Sequence, residues 1–225
     1  MSFADKKLSE IAISVPGSTA LLREYDLDFC CGGADTLGVA VAEKNLNLAE
    51  IEARLTELQN SKKQDDEQRW LTAPYSDIIE HIIHRYHERH KQQLSELFVL
   101  AERVESVHGD RDDCPIGVAA EIQNIYADLS NHMMKEEQIL FPMIKMGNYA
   151  MARMPIQVME HEHAEHGEHL EVLKSLTNNL TPPADACNTW RALYSGIQEF
   201  MDDLMMHIHT ENNILFPRVI EEGSR

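Results

Sequence analysis

The chain has 225 residues, 43% of them hydrophobic, which is enough to bury a core in one or two domains. Its 38 acidic against 20 basic residues give a formal net charge of −18, which excludes nucleic acid as a main partner, because binding there relies on Lys and Arg neutralising phosphates. No uninterrupted run of about 18 apolar residues is present for a membrane span, and four cysteines, two of them adjacent, do not make a disulfide framework. The expectation is a cytoplasmic protein in a reducing compartment. Twelve histidines are many for this length, and most fall in short windows at 81–90, 161–169 and 207–209.

Residues 1–60 show helical spacing in Leu8, Ile11 and Val15, in Leu21, Leu22 and Tyr25, and in Leu48, Ile51, Leu55 and Leu58. Pro16-Gly17 and Cys30-Cys31-Gly32-Gly33 break it, so a small helical domain with a sharp Gly-rich turn after Phe29 is expected. Residues 61–74 are polar and aperiodic and read as a linker. Residues 75–225 then supply four long helices. The first runs from about 77 behind the capping pattern Asp77-Ile-Ile-Glu80 to His108-Gly109; the second runs from Pro115 to Gly147; the third runs from near Pro155 to about 179; the fourth carries Trp190 to about Glu221. Short connections between long helices imply an antiparallel four-helix bundle, so the fold class is all-α. Pro142 and Pro217 fall inside these helices and are expected to mark kinks or early helix ends.

One stretch occurs twice. His132-x3-Glu136-x4-Phe141-Pro142 and His207-x3-Glu211-x4-Phe216-Pro217 share the pattern H-x3-E-x4-F-P, and every position is separated from its counterpart by the same offset. The odd-numbered helices repeat as well: His87-Glu-Arg-His90 and His163-Ala-Glu-His166 are matched HxxH pairs whose offset is greater by a single position. Residues four apart on a helix share a face, so each H-x3-E pair aims an imidazole and a carboxylate at one point. With approximate two-fold packing of the hairpins, His87, His132 and Glu136 meet His163, His207 and Glu211.

Four imidazoles with two carboxylates in a bundle core suit a pair of iron or manganese ions better than four-coordinate zinc or oxygen-seeking magnesium and calcium. Two non-haem irons bridged by Glu136 and Glu211 are the economical arrangement, since a carboxylate can span two ions and a neutral imidazole cannot. Coordination positions stay open for an oxo bridge in the oxidised form, for water, or for a diatomic ligand. His90 and His166 are placed behind the ligands or in solvent, and His81, His84, His161, His169 and His209 on the surface. Asp128, one turn before His132, and Glu162, beside His163, either orient ligands and relay protons or are solvated. Cys30 and Cys31 are either a reactive thiol pair for redox chemistry or iron transfer, or a buried helix-end pair. Cys114 and Cys187 read as incidental.

His87, His132-x3-Glu136, His163 and His207-x3-Glu211 resemble the hemerythrin-like di-iron bundle, and with Asp28-Phe29-Cys30-Cys31-Gly32-Gly33 the whole chain resembles the iron-sulfur cluster repair proteins of the YtfE/ScdA type. One departure from the oxygen-carrying hemerythrins is Gly167, where those proteins have a further histidine, so reversible oxygen storage is not expected. The resemblance implies a bacterial stress protein that repairs iron-sulfur clusters damaged by nitrosative or oxidative stress. Iron donation is one route, and reduction of NO to N2O at the di-iron centre is another, so the term enzyme stays open. The alternative is a hemerythrin-like O2 or NO sensor. Implied partners are damaged iron-sulfur proteins and NO or O2 as small ligands; monomer and homodimer both stay open.

Overall fold

In the computed structural model, which describes residues 2–61 and 66–225, helices account for every regular element, and among these residues only a bridge pair between Lys7 and Thr36 has β geometry. Four short helices come first: α1 (Leu8–Ser14), α2 (Ser18–Glu24), α3 (Leu37–Glu43) and α4 (Leu48–Asn60). Asn47 caps α4 by accepting from the Glu50 N–H, as its side chain is suited to do. Of the expected linker at 61–74, residues 62–65 lie outside the described residues; Asp66–Leu71 forms a 3-10 helix, and the Trp70 ring stacks on His81 at 4.3 Å. No helix among the described residues is long and apolar enough to cross a membrane.

The bundle follows. Its first rod is α5 (Tyr75–His81), a π-helical turn at Ile82–His87, and α6 (Glu88–His108). The second joins α7 (Val118–Lys135) through a π turn at Glu136–Leu140 to α8 (Phe141–Lys145), and the third is α9 (Tyr149–Leu176). The fourth joins α10 (Asn188–His209) through a π turn at Thr210–Leu215 to α11 (Phe216–Glu222). Of the kinks or early helix ends expected at Pro142 and Pro217, the early ends do not occur. A π turn precedes each proline, with the Phe141 N–H bonded to the Glu136 carbonyl and the Phe216 N–H to the Glu211 carbonyl, and the helix then resumes. Such widened turns tend to occur at functional sites. Pro155, expected to open the third helix, sits inside it.

Two apolar clusters stack along the bundle. One joins the N-terminal helices, through Leu8, Leu22, Phe29 and Ile51, to the near end of the bundle at Ile79, Phe141, Ile156 and Phe216. The other fills the far end with Leu97, Ile122, Leu173, Trp190 and Phe200. Along every rod the residues that change from one cluster to the other flank the His and Glu positions. A polar layer is therefore enclosed by apolar packing on both sides, which lowers its dielectric and strengthens its electrostatics.

Candidate metal centre

All six expected ligands are buried and converge. His87, Glu136, His207 and Glu211 place one donor atom each within 4.8 Å of one another, and His132, Glu136, His163 and Glu211 do the same. Each group therefore takes one imidazole from each hairpin and shares both glutamates. Glu136 Oε2 lies 3.3 Å from His87 Nε2 and 3.5 Å from His132 Nε2; Glu211 lies 3.1 Å from His163 Nε2 through Oε2 and 3.3 Å from His207 Nε2 through Oε1. Within each group the imidazoles face one another, His87 Nε2 to His207 Nε2 at 3.2 Å and His163 Nε2 to His132 Nε2 at 3.1 Å.

The outer nitrogens decide what those facing atoms are. His87 Nδ1 is 2.9 Å from Glu137 Oε1, His132 Nδ1 is 2.9 Å from Glu162 Oε2, and His163 Nδ1 is 2.8 Å from Asn212 Oδ1. Each partner is an acceptor, so each Nδ1 carries a proton and donates it, and in the neutral ring the lone pair is then on Nε2. With the rings neutral, lone pairs face lone pairs, and all four buried oxygens of Glu136 and Glu211 lack a hydrogen-bond partner among the described residues. Their contacts with the imidazoles are close but badly angled for hydrogen bonds, as expected of donors aimed at a common point. Buried unpaired carboxylates are costly. A cation between them fits this donor set.

The electrostatics call for the same positive charge. Burial opposes protonation of His163, yet the Glu211 carboxylate beside it, with the charge of Glu136 beyond, outweighs it and raises its pKa to about 9. His87 is raised in the same way, burial opposing and Glu136 prevailing. Glu162 is held down to about 2, chiefly by its hydrogen bond to His132 and, against burial, by Lys135. A metal ion would displace these protons, so its binding should weaken in acid.

The structure also places the remaining expected residues. Glu162 touches His132 and Lys135 and so fixes the His132 ring. Asp128 does not reach the ligands; it accepts from His169 Nε2 at 3.2 Å. His90 and His166 are buried, their rings 5.3 Å from His207 and 5.0 Å from His132, and neither joins a four-residue group. Burial, with His132 next in weight, lowers the His166 pKa to about 2. His84 and His161 are exposed as expected, but His209 is buried at the edge of the Phe29 ring, and burial lowers half-buried His81 to about 4.

Several contributors escaped the sequence reading. Glu137 and Asn212 each follow a shared glutamate and stand at the same offset as the H-x3-E pairs, and that spacing was the available signal. Phe141 and Phe216, the aromatic positions of the repeat, stack behind His87 at 5.9 Å and behind His163 at 6.1 Å. The Cys30-Cys31 turn sits against the third rod. Cys31 Sγ donates to the His163 carbonyl at 3.2 Å, and a Cβ added to Gly167 would stand 4.0 Å from that sulfur. Position 167 therefore faces the Cys31 thiol.

Comparison with known proteins agrees with this layout. Residues 78–219 match the family described as Hemerythrin HHE cation binding domain, and residues 4–59 match ScdA_N, described as a domain of unknown function. A probable iron-sulfur cluster repair protein of Haemophilus influenzae is 68% identical over 222 residues, covering 99% of this chain and all of the relative. The iron-sulfur cluster repair protein YtfE of Musicola paradisiaca is 56% identical, covering 98% of each chain. The protein of the same name from Escherichia coli O81 is 53% identical over 98% of this chain and 99% of its own.

Proposed function

The chain belongs to the iron-sulfur cluster repair proteins, and on that footing we propose that it holds two iron ions, one per four-residue group, bridged by Glu136 and Glu211, and gives up ferrous iron to damaged clusters. The observation that carries this reading is the sharing of both glutamates by the two groups, with all four of their buried carboxylate oxygens lacking a hydrogen-bond partner among the described residues. In it, His87, His132, His163 and His207 are the terminal ligands; Glu137, Glu162 and Asn212 fix three of their rings; Phe141 and Phe216 hold two of them from behind. Residues 1–60 act as a unit that brings the Cys30-Cys31 turn to the bundle of residues 75–225. When bound, a ferrous pair supplies exchangeable iron and, in a second reading favoured by the closeness of the two groups, the two electrons that conversion of two NO and two protons to N2O and water consumes.

The test is anaerobic mixing of the ferrous protein with apo-ferredoxin or with NO-damaged aconitase. A donor loses iron as the client recovers activity. A protein that keeps its iron while the client stays inactive ends the donor reading and leaves an O2 or NO sensor. Metal analysis with Mössbauer spectra should give two irons per chain, and one zinc would overturn the di-iron centre. For the second reading, NO consumed without release of N2O is the overturning result.

A further inference from the structure

Outside the His/Glu layer one other set of donor atoms gathers among the described residues: those of Asp28, Cys30 and Cys31 all lie within 4.8 Å of one another. The turn that carries them is firmly held. Asp28 Oδ1 accepts from the backbone N–H groups of Cys30 at 2.9 Å and Cys31 at 3.0 Å, and Oδ2 accepts from Gly32 N–H at 2.8 Å. From the bundle, Asn212 Nδ2 donates to the Cys30 carbonyl at 3.3 Å and Asn213 Nδ2 to the Phe29 carbonyl at 2.8 Å. The turn thus hangs from the two residues that follow Glu211. Gly33 closes it where a Cβ would come within 2.5 Å of the Phe29 carbonyl oxygen, so only glycine fits.

The spacing of the donors suits an ion. The two Sγ atoms are 3.8 Å apart. Two thiolates on one tetrahedral ion, each at the usual metal–sulfur distance of about 2.3 Å, are separated by about 3.8 Å. Asp28 Oδ1 stands 3.1 Å from Cys30 Sγ as a third donor. All three residues line a cavity of about 570 Å³ between the N-terminal helices and α9 and α10, so further coordination positions face open space. Basic groups around the cavity are engaged elsewhere: Lys44 and Lys174 pair with Asp26, and Arg23 with Asp202. Asp28 has no ion pair among the described residues.

We propose that Asp28, Cys30 and Cys31 form an additional, open site for a divalent transition ion, separate from the His/Glu layer and facing the cavity. Binding exchanges two thiol protons for the ion: M2+ plus two R–SH gives M(SR)2 plus two protons, with no change of oxidation state. Soft thiolates with one carboxylate favour a borderline ion over magnesium or calcium. That the working ion is ferrous iron in transit rests on the donor reading above; the existence of the site does not. Its place is apt for transit, since Cys31 Sγ lies 3.2 Å from the His163 carbonyl oxygen on one side and borders the cavity on the other.

The experiment is an anaerobic titration of the iron-loaded protein with cobalt(II). A sulfur-to-cobalt charge-transfer band saturating at one cobalt per chain is expected; cobalt entering the His/Glu layer would give none. The band should vanish in Cys30→Ser/Cys31→Ser. It should weaken in Asp28→Asn, which keeps an acceptor oxygen for the cysteine N–H groups and loses the charge. Unchanged iron content in both variants reports that the fold stands. Absence of the band in the parent protein, or its persistence in the double variant through Cys114 or Cys187, overturns the site. If the band appears but no iron passes to apo-ferredoxin, the site stands and the donor reading falls.

Discussion

His87 with His207 and His132 with His163 form the two ends of one layer, and the repeat gives both ends the same ligand types. What lies behind the ligands differs. At the His132/His163 end both outer nitrogens have acceptors, Glu162 and Asn212. At the other end Glu137 serves His87, but His207 Nδ1 has no partner among the described residues. Tyr86, at the position matching Glu162, instead lies flat on the His207 ring at 5.3 Å and 16°. The repeat thus preserves the donors while the residues that orient them diverge. Because an orienting partner is typically worth about 10–100-fold in metal affinity, the His87/His207 end should hold its ion more weakly.

Three measurements break or sharpen that contrast. The largest effect belongs to the residues the ends share: Glu136→Ala or Glu211→Ala strips a donor from both groups, and iron per chain should fall towards zero. Retention of one full equivalent would show that the carboxylate serves a single end. Next come His207→Ala and His163→Ala, each of which should cost one ion and leave the other, as read by metal analysis and by one of two Mössbauer components. Smaller still is the difference between the intact ends. A competing chelator should remove ferrous iron in two phases whose affinities differ by about 10–100-fold. Glu162→Gln or Asn212→Ala should bring the slower phase towards the faster one; a single phase in the parent protein would refute the asymmetry.

Much of this centre was legible in the chain because helical geometry makes i, i+4 spacing a statement about direction, and duplication says which pairs belong together. The all-α bundle followed from helical spacing and short connections, and the repair family from the resemblance that these residues carry together with Asp28-Phe29-Cys30-Cys31-Gly32-Gly33. Less legible was anything that depends on the turns. A π turn adds a residue between Glu136 and Phe141 relative to a regular helix, so the stacking of Phe141 on His87 does not follow from 3.6 periodicity, and Pro142 is accommodated where a kink or an early helix end was expected. His209 was expected at the surface because its covering residue, Phe29, stands near the opposite end of the chain. Asp128, one turn before His132, was open to both an orienting role and solvation, and it is a partner on another rod, His169, that turns it outward.

That last pair extends the contrast beyond the ligands and yields the smallest effect. Asp128 and Asp203 stand at the offset of the H-x3-E repeat, and Gln93 and His169 at that of the HxxH pairs, so each end has a matching outer layer. At the first end Arg85 donates to Asp203 at 2.5 Å and Gln93 Nε2 to Asp203 at 2.9 Å, with a cation that does not titrate. At the second the cation is His169, which bonds Glu121 at 2.6 Å and Asp128 at 3.2 Å. Burial opposes its charge, but Glu121 and then Asp128 prevail and raise its pKa. A folded value above the unfolded one, about 6.5, means that the stabilisation is complete below that pH and is lost as pH rises through the folded value. The side chain is a quarter exposed, so the contribution should be no more than about 1 kcal/mol. In urea denaturation, His169→Gln should therefore lower stability at pH 6 and matter progressively less towards pH 9, whereas Arg85→Gln should cost the same at both. Equal losses at both pH values for His169→Gln would show that its ring acts through packing, and the two outer layers would then differ in shape alone.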